Sequence, residues 1–112
     1  MAPVKPIRRR RLADRDVAEA IDHYLAESPA LALRFVDALE QATRHIQKHP
    51  ATGSPRYAHE LDIPGLRCWP LKRFPYLVFY CERDDAIDLW RVLHGRRDIP
   101  VWLNEDQGNA IE

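Results

Sequence analysis

Residues 66–93, LRCWPLKRFPYLVFYCERDDAIDLWRVL, decide the fold of this chain. They contain three short segments rich in aromatic and β-branched side chains, the residues that strands favour: Leu66 to Arg73, Tyr76 to Arg83 and Ala86 to Leu93. Phe74-Pro75 and Asp84-Asp85 separate these segments and supply turn-forming residues. The sequence therefore predicts three consecutive antiparallel strands.

The last of these strands carries apolar residues on both of its faces. Strict alternation would put Ile87, Leu89, Arg91 and Leu93 on one side and Asp88, Trp90, Val92 and His94 on the other. We expect helices to cover one face of the sheet, and the other face to be open to a visiting element.

Two amphipathic helices precede the strands. Between Ala13 and Glu27, apolar residues recur at helical spacing, with acidic residues elsewhere around the helix; the apolar set is Val17, Ile21, Tyr24 and Leu25. Ser28 and Pro29 then suit the cap and first position of a second helix, whose core face is Leu31, Phe35, Leu39, Ala42 and Ile46. Pro50 ends that helix near His49, so a helical hairpin results.

The remaining segments complete the order of elements. Val4 to Arg10 suggests a first strand, which Pro6 confines to an edge or an early position, and Ala51 to Gly65 suggests a surface loop. We predict an α+β fold of βααβββ order, with the helical hairpin packed on a mainly antiparallel, twisted sheet. One domain would span residues 1–103, followed by a polar, loosely ordered tail at 104–112.

Charge and composition exclude several classes of protein. Seventeen basic and seventeen acidic residues balance, so bulk attraction to nucleic acid is not predicted. Cations nevertheless cluster at residues 8–11 and at Arg91, Arg96 and Arg97, either as solvated surface or as a local anion site. Short apolar runs and an arginine- and proline-rich start predict a soluble cytoplasmic protein without a membrane segment. Cys68 and Cys81 are expected to be reduced.

No cofactor or metal is expected. His45 and His49 stand at helical i, i+4 spacing, but the sequence places no third ligand beside them. The four glycines form no phosphate-binding loop, and no serine stands in a nucleophile elbow.

Several motifs stand out together: the Ser28-Pro29 helix junction, His49-Pro50 followed by Gly53, and the segments at 64–67, 74–80 and, most specifically, 91–100, RVLHGRRDIP. Taken together, these motifs resemble the RelE/ParE toxin superfamily, most closely its ParE branch. The resemblance spans Arg9 to Leu103. It implies a type II toxin with RelE-like fold that forms a hetero-oligomer with a ParD-like antitoxin and reaches operator DNA only through that antitoxin.

The resemblance also implies alternative targets. ParE-like proteins poison DNA gyrase by binding, without chemistry of their own, which makes an enzyme the less favoured choice. The alternative is a RelE-like endoribonuclease that cuts messenger RNA in the ribosome, with Arg67, Arg91 and His94 as the reacting set. The tyrosine that RelE-like nucleases carry after the last strand is replaced here by Trp102. A domain that has lost toxicity and acts only with its antitoxin is a third alternative.

These implications assign two candidate surfaces. Target contacts are expected from Arg91, His94, Arg96, Arg97, Asp98 and Trp102. Antitoxin contacts are expected from Tyr24, Leu25, Phe35, Trp69 and Trp90, because the hairpin groove and the sheet edge suit a partner helix or strand. Structural roles remain open for some of these: His94 would bond to Asp98, and Arg97 would pair with Asp98.

Overall fold

A computed structural model describes the backbone of residues 4–108 and the side chains of residues 4–103. The elements in chain order are β1 (Ile7–Arg9), α1 (Arg11–Leu25), α2 (Pro29–Lys48), a 3-10 turn (Pro50–Thr52), α3 (Arg56–Leu61), β2 (Leu66–Pro70), β3 (Tyr76–Glu82), β4 (Ile87–His94) and α4 (Ile99–Gly108). The predicted α+β fold and βααβββ core are confirmed. Two helices, α3 and α4, add to that core.

The helical hairpin forms for the reasons that the sequence gives. Ser28 is the N-cap of α2, and its hydroxyl accepts a hydrogen bond from the backbone N–H of Leu31 at 3.1 Å. Pro29 follows at the first helical position, where its missing N–H costs nothing. Phe35 and Ile46 on α2 are fully buried, as their spacing predicts.

The sheet is mixed, in the order β1-β4-β3-β2. β3 pairs antiparallel with both β2 and β4, whereas β1 runs parallel to β4 over only three residue pairs, from Ile7 with Ile87 to Arg9 with Leu89. Among residues 4–108, no strand therefore lies beside the outer edge of β4 past Leu89, and other groups must satisfy its backbone.

A register shift in β4 overturns the predicted alternation of faces. Tyr80 pairs with Leu89 but Phe79 pairs with Arg91, so Trp90 is an extra residue in the ladder. As a result Ile87, Leu89 and Val92 join the core under the hairpin, and Trp90 and Leu93 join the core on the other face.

Helices of this chain cover both faces of the sheet. α1 and α2 cover one face, and residues of α3, α4 and the segment between α3 and β2 close the other around Phe79, Trp90 and Leu103. The expectation of an open second face is therefore wrong. The segment 51–65, expected to be a loop, contributes α3 to this second core, and α4 runs on through 104–108, where a loose tail was expected. Residues 109–112 of that tail lie outside the described residues.

Candidate functional site at the end of strand β4

Arg91, a candidate for target contact and for catalysis, is buried in an ion pair. Its side chain donates through Nε and Nη2 to the two carboxylate oxygens of Asp16, both at 2.8 Å, and residue exposure is 2% for Arg91 and 8% for Asp16. A third donor, Nη1, reaches the carbonyl of Trp102 at 3.1 Å. With its guanidinium turned inward, Arg91 joins α1, β4 and α4.

Asp16 also accepts a hydrogen bond from the backbone of β4 at its outer edge. Its Oδ2 accepts the backbone N–H of Val92 at 3.0 Å, just past the point where β1 ends. Sequence reasoning missed this residue and placed it away from the apolar stripe. A signal was present: Asp16 lies three residues after Ala13 and four before Ala20, and both alanines are buried.

His94 ends β4 and holds the following turn. Its Nδ1 accepts the backbone N–H of Arg96 at 3.1 Å, and its carbonyl accepts that of Arg97 at 3.0 Å. Gly95 donates its N–H to the carbonyl of Pro75 at 2.8 Å, which ties the turn to the one before β3. The expected bond from His94 to Asp98 is replaced by this local one. A neutral ring whose Nδ1 accepts must carry its hydrogen on Nε2.

Arg97 stacks on Trp102 instead of pairing with Asp98. The guanidinium carbon of Arg97 lies 4.0 Å from the centre of the Trp102 indole. The guanidinium carbon of Arg91 lies 5.4 Å from the same ring centre. Over residues 4–103, neither Arg96 nor Arg97 forms an ion pair. Asp98 instead accepts a long hydrogen bond, 3.5 Å, from the backbone N–H of Val101 near the start of α4. Trp102 thus links the buried pair of Arg91 and Asp16 to Arg97, because both arginines contact it.

A cleft of about 390 Å³ opens between this turn and α1. It is lined by Asp16, Glu19, Ala20, His23, Tyr76, Val92, His94, Arg96 and Arg97. Burial raises the pKa of the Tyr76 phenol, an effect that Arg97 partly opposes, so this hydroxyl is a neutral donor at neutral pH. His94, Arg96 and Arg97 therefore line one cleft, and Trp102 stacks on Arg97.

Arg67 lies elsewhere and has a structural partner. Its Nη1 donates to the carbonyl of Gly53 at 2.8 Å, while the Gly53 N–H donates to the Tyr80 hydroxyl at 3.0 Å. Register places Arg67 level with Tyr80 and Leu89, whereas His94 lies opposite Tyr76 at the far end of the sheet. Arg67, Arg91 and His94 therefore do not converge on one point.

The residues expected to contact an antitoxin divide by burial. Phe35 is fully buried and Trp90 is 5% exposed, so both belong to the cores. Trp69 is half-buried and stacks on His45 with ring centres 4.5 Å apart, and Tyr24 is half-buried against Phe35. Leu25, at the hairpin tip, is 49% exposed.

The described residues contain no group of three or more His, Cys, Asp or Glu side chains placed to hold a metal ion. His45 instead contacts the Thr52 hydroxyl at 3.2 Å. Cys68 and Cys81 are free and buried, and burial raises the pKa of the Cys81 thiol to about 11, which leaves it a poor nucleophile. Between residues 4 and 108, no helix is long and apolar enough to cross a membrane.

The sequence-family model for the ParE toxin of the type II toxin-antitoxin system parDE matches residues 7–99 of this chain. The chain belongs to this ParE toxin family. A search of curated proteins finds no match to this sequence. Among solved structures, the chain is similar to the chromosomal ParDE toxin-antitoxin system from P. aeruginosa, with TM-score 0.67, 22% identity, and coverage of 81% of this chain and 96% of that one.

Family and fold together assign the ParE branch. This ParE-like chain is a type II toxin, and an antitoxin is its partner class. The segment from His94 to Ile99 lies inside the matched range, whereas Trp102, on which Arg97 rests, lies outside it.

Proposed function

We propose that this ParE-like toxin arrests growth in the cytoplasm by binding DNA gyrase and trapping its cleaved DNA complex. The contact surface would be the turn of Arg96 and Arg97 with His94, flanked by Asp98 and Trp102. Arg91 would support this surface from within instead of touching the target.

The burial of Arg91 against Asp16 carries this proposal. A ribonuclease needs cations at the scissile phosphate and an acid or base beside them. Arg91 is turned inward, and Arg67 is bonded to Gly53 at a distance from His94, so the reacting set expected for a nuclease is not assembled. Arg96 and Arg97 are exposed on a turn that hydrogen bonds hold in place, which suits binding better than cleavage.

Induction of the chain alone in bacteria tests the proposal. Gyrase-cleaved DNA and ribosome-bound messenger cleavage are measured separately in the same cultures. We expect trapped DNA breaks with intact messenger, and we expect the double variant Arg96→Ala with Arg97→Ala to abolish the breaks. Arg44→Ala is the matched control, because Arg44 is an exposed cation on α2 away from the turn. Messenger cut within reading frames, with undamaged DNA, would refute the gyrase proposal.

The antitoxin, a ParD-like protein, would cover the hairpin and the β2 side of the sheet. A groove beside Trp69 is lined by α2 residues and by the end of β2, and Leu25 offers an exposed apolar contact at the hairpin tip. The outer edge of β2 is partly closed, since Ser54 and Cys68 exchange backbone hydrogen bonds at 2.8 and 3.0 Å. This favours a helix in the groove over a strand along the whole edge. Phe35 and Trp90 would not touch the antitoxin and would support this surface only from within the two hydrophobic cores.

Co-expression with the cognate antitoxin, followed by size-exclusion chromatography, tests this contact. We expect one complex for the wild-type chain and weakened binding for Trp69→Ala and Leu25→Glu, with Val4→Glu, at an exposed apolar residue outside the hairpin, as the control. Separate elution of wild-type toxin and antitoxin would refute it. Operator DNA would be reached through the antitoxin, because Arg8, Arg9 and Arg10 of this chain are already paired with carboxylates.

A further inference from the structure

The cleft between α1 and the 95–97 turn has an excess of positive charge that other residues do not cancel. Arg96 and Arg97 line it and form no ion pair within residues 4–103. Of the two carboxylates in its wall, Asp16 is neutralised by Arg91, and Glu19 meets Arg15 at 3.3 Å. The cleft therefore favours an anion.

Two further side chains of the cleft offer hydrogen-bond donors. Because His94 uses Nδ1 to accept from Arg96, its remaining ring donor is Nε2–H. The Tyr76 hydroxyl keeps its proton, since burial raises its pKa. The ring of His94 stands edge-on to that of Tyr76 with centres 5.2 Å apart, and both residues line the cleft.

The backbone of the turn and the guanidinium of Arg97 are held in place before any ligand arrives. Hydrogen bonds from Arg96 and Arg97 to His94, and from Gly95 to Pro75, hold the turn. Trp102 supports the Arg97 guanidinium, and the buried Arg91 holds the Trp102 carbonyl. A guanidinium held in this way suits phosphate oxygens, because its planar fork matches them and less of its side-chain freedom is lost on binding.

We propose that this cleft binds a backbone phosphodiester of a DNA strand, with Arg96, Arg97, the Nε2–H of His94 and the Tyr76 hydroxyl as its donors. The inference rests on the proposed function, in which the strand is the DNA held by gyrase. It makes the toxin touch DNA as well as protein in the trapped complex. Asp16 and Trp102 are positioning residues.

The direct test measures binding of a labelled single-stranded oligodeoxynucleotide to the full chain by fluorescence anisotropy over a range of salt concentrations. We expect Arg96→Ala with Arg97→Ala to weaken binding about tenfold or more and to lower the salt slope by about 0.7, the contribution of one neutralised phosphate of a single strand. Glu19→Gln removes a negative charge from the cleft and should tighten binding roughly twofold to fivefold.

Arg34→Ala is the matched control, because Arg34 is exposed on α2 and lines a different cleft. It should leave affinity and slope unchanged, and circular dichroism should show that all variants fold. Equal losses in Arg34→Ala and in the double variant would overturn the inference, because binding would then follow general charge. Inorganic phosphate should compete weakly. Strong competition by an acidic peptide of equal charge would also overturn the inference.

The outcomes separate this inference from the gyrase proposal. Wild-type chain that traps gyrase-cleaved DNA but binds no oligonucleotide overturns the cleft site and leaves the gyrase proposal intact. Oligonucleotide binding that depends on Arg96 and Arg97, without trapped breaks in cells, supports the cleft site and overturns the gyrase proposal.

Discussion

The two arginine clusters of this chain look alike in sequence and differ in the fold. In the first, Arg8, Arg9 and Arg10 meet Asp85, Asp14 and Asp88, and Arg10 also lies 4.1 Å from the centre of the Trp90 ring. In the second, Arg91 is buried against Asp16, while Arg96 and Arg97 stand on an exposed turn and form no ion pair within residues 4–103.

The difference shows that a run of cations indicates a binding surface only when nearby carboxylates do not neutralise it. The first cluster borders β4 and the turn before it, and that segment supplies Asp85 and Asp88. Within residues 4–103, the buried carboxylate beside the second cluster is Asp16, and Arg91 is paired with it. The first cluster therefore secures β1, and the second leaves two arginines for a ligand.

The largest expected effect separates Arg91 from its neighbours. Asp16→Ala leaves a buried guanidinium without its counter-charge and the Val92 N–H without an acceptor, so we expect the free energy of unfolding to fall by about 3–5 kcal/mol. Urea unfolding measures it. Replacing the pair together, as Asp16→Leu with Arg91→Met, should recover part of the loss. A loss under about 1 kcal/mol for Asp16→Ala would contradict the buried pair, because an exposed ion pair contributes no more than that.

A smaller effect is expected at Arg67, an arginine that belongs to neither cluster. Arg67→Ala removes a charge-assisted bond to the Gly53 carbonyl, so we expect a loss of about 1.5 kcal/mol in unfolding free energy, without loss of toxicity in the induction assay. Lys72→Ala, at a nearby exposed cation, is the control and should change stability little. Loss of toxicity in a folded Arg67→Ala protein would revive the nuclease alternative.

The smallest effect is expected in the first cluster. The Arg8 guanidinium, 2.8 Å away, lowers the pKa of the Asp85 carboxyl through a hydrogen bond and its charge. A lowered folded-state pKa stabilises the protein above the unfolded-state pKa, and this contribution is lost as pH falls through the folded-state value. Arg8→Ala should raise the Asp85 pKa in an NMR titration and barely move the thermal midpoint at neutral pH. Arg44→Ala should leave the Asp85 pKa unchanged, and an equal rise there would contradict the assignment to Arg8.

Local patterns were enough to predict the core of the fold. The apolar spacing of residues 17–46, the Ser28-Pro29 junction and the turn residues around 74–75 and 84–85 specify the hairpin and the meander, because such signals act over a few residues. α3 escaped prediction because its six residues carry too little periodicity, and α4 because its polar residues obscure the apolar contacts of Ile99 and Leu103.

The sequence by itself determined the hairpin, the three-strand meander, the balanced charge and the position of the His94 to Asp98 turn. Only the tertiary structure decided which arginines are free to bind. One extra residue at Trp90 changes which way the end of β4 faces, and Asp16, distant in sequence, both neutralises Arg91 and caps the edge that β1 leaves uncovered. Such pairings depend on which elements meet in space, and spacing along one strand does not record them.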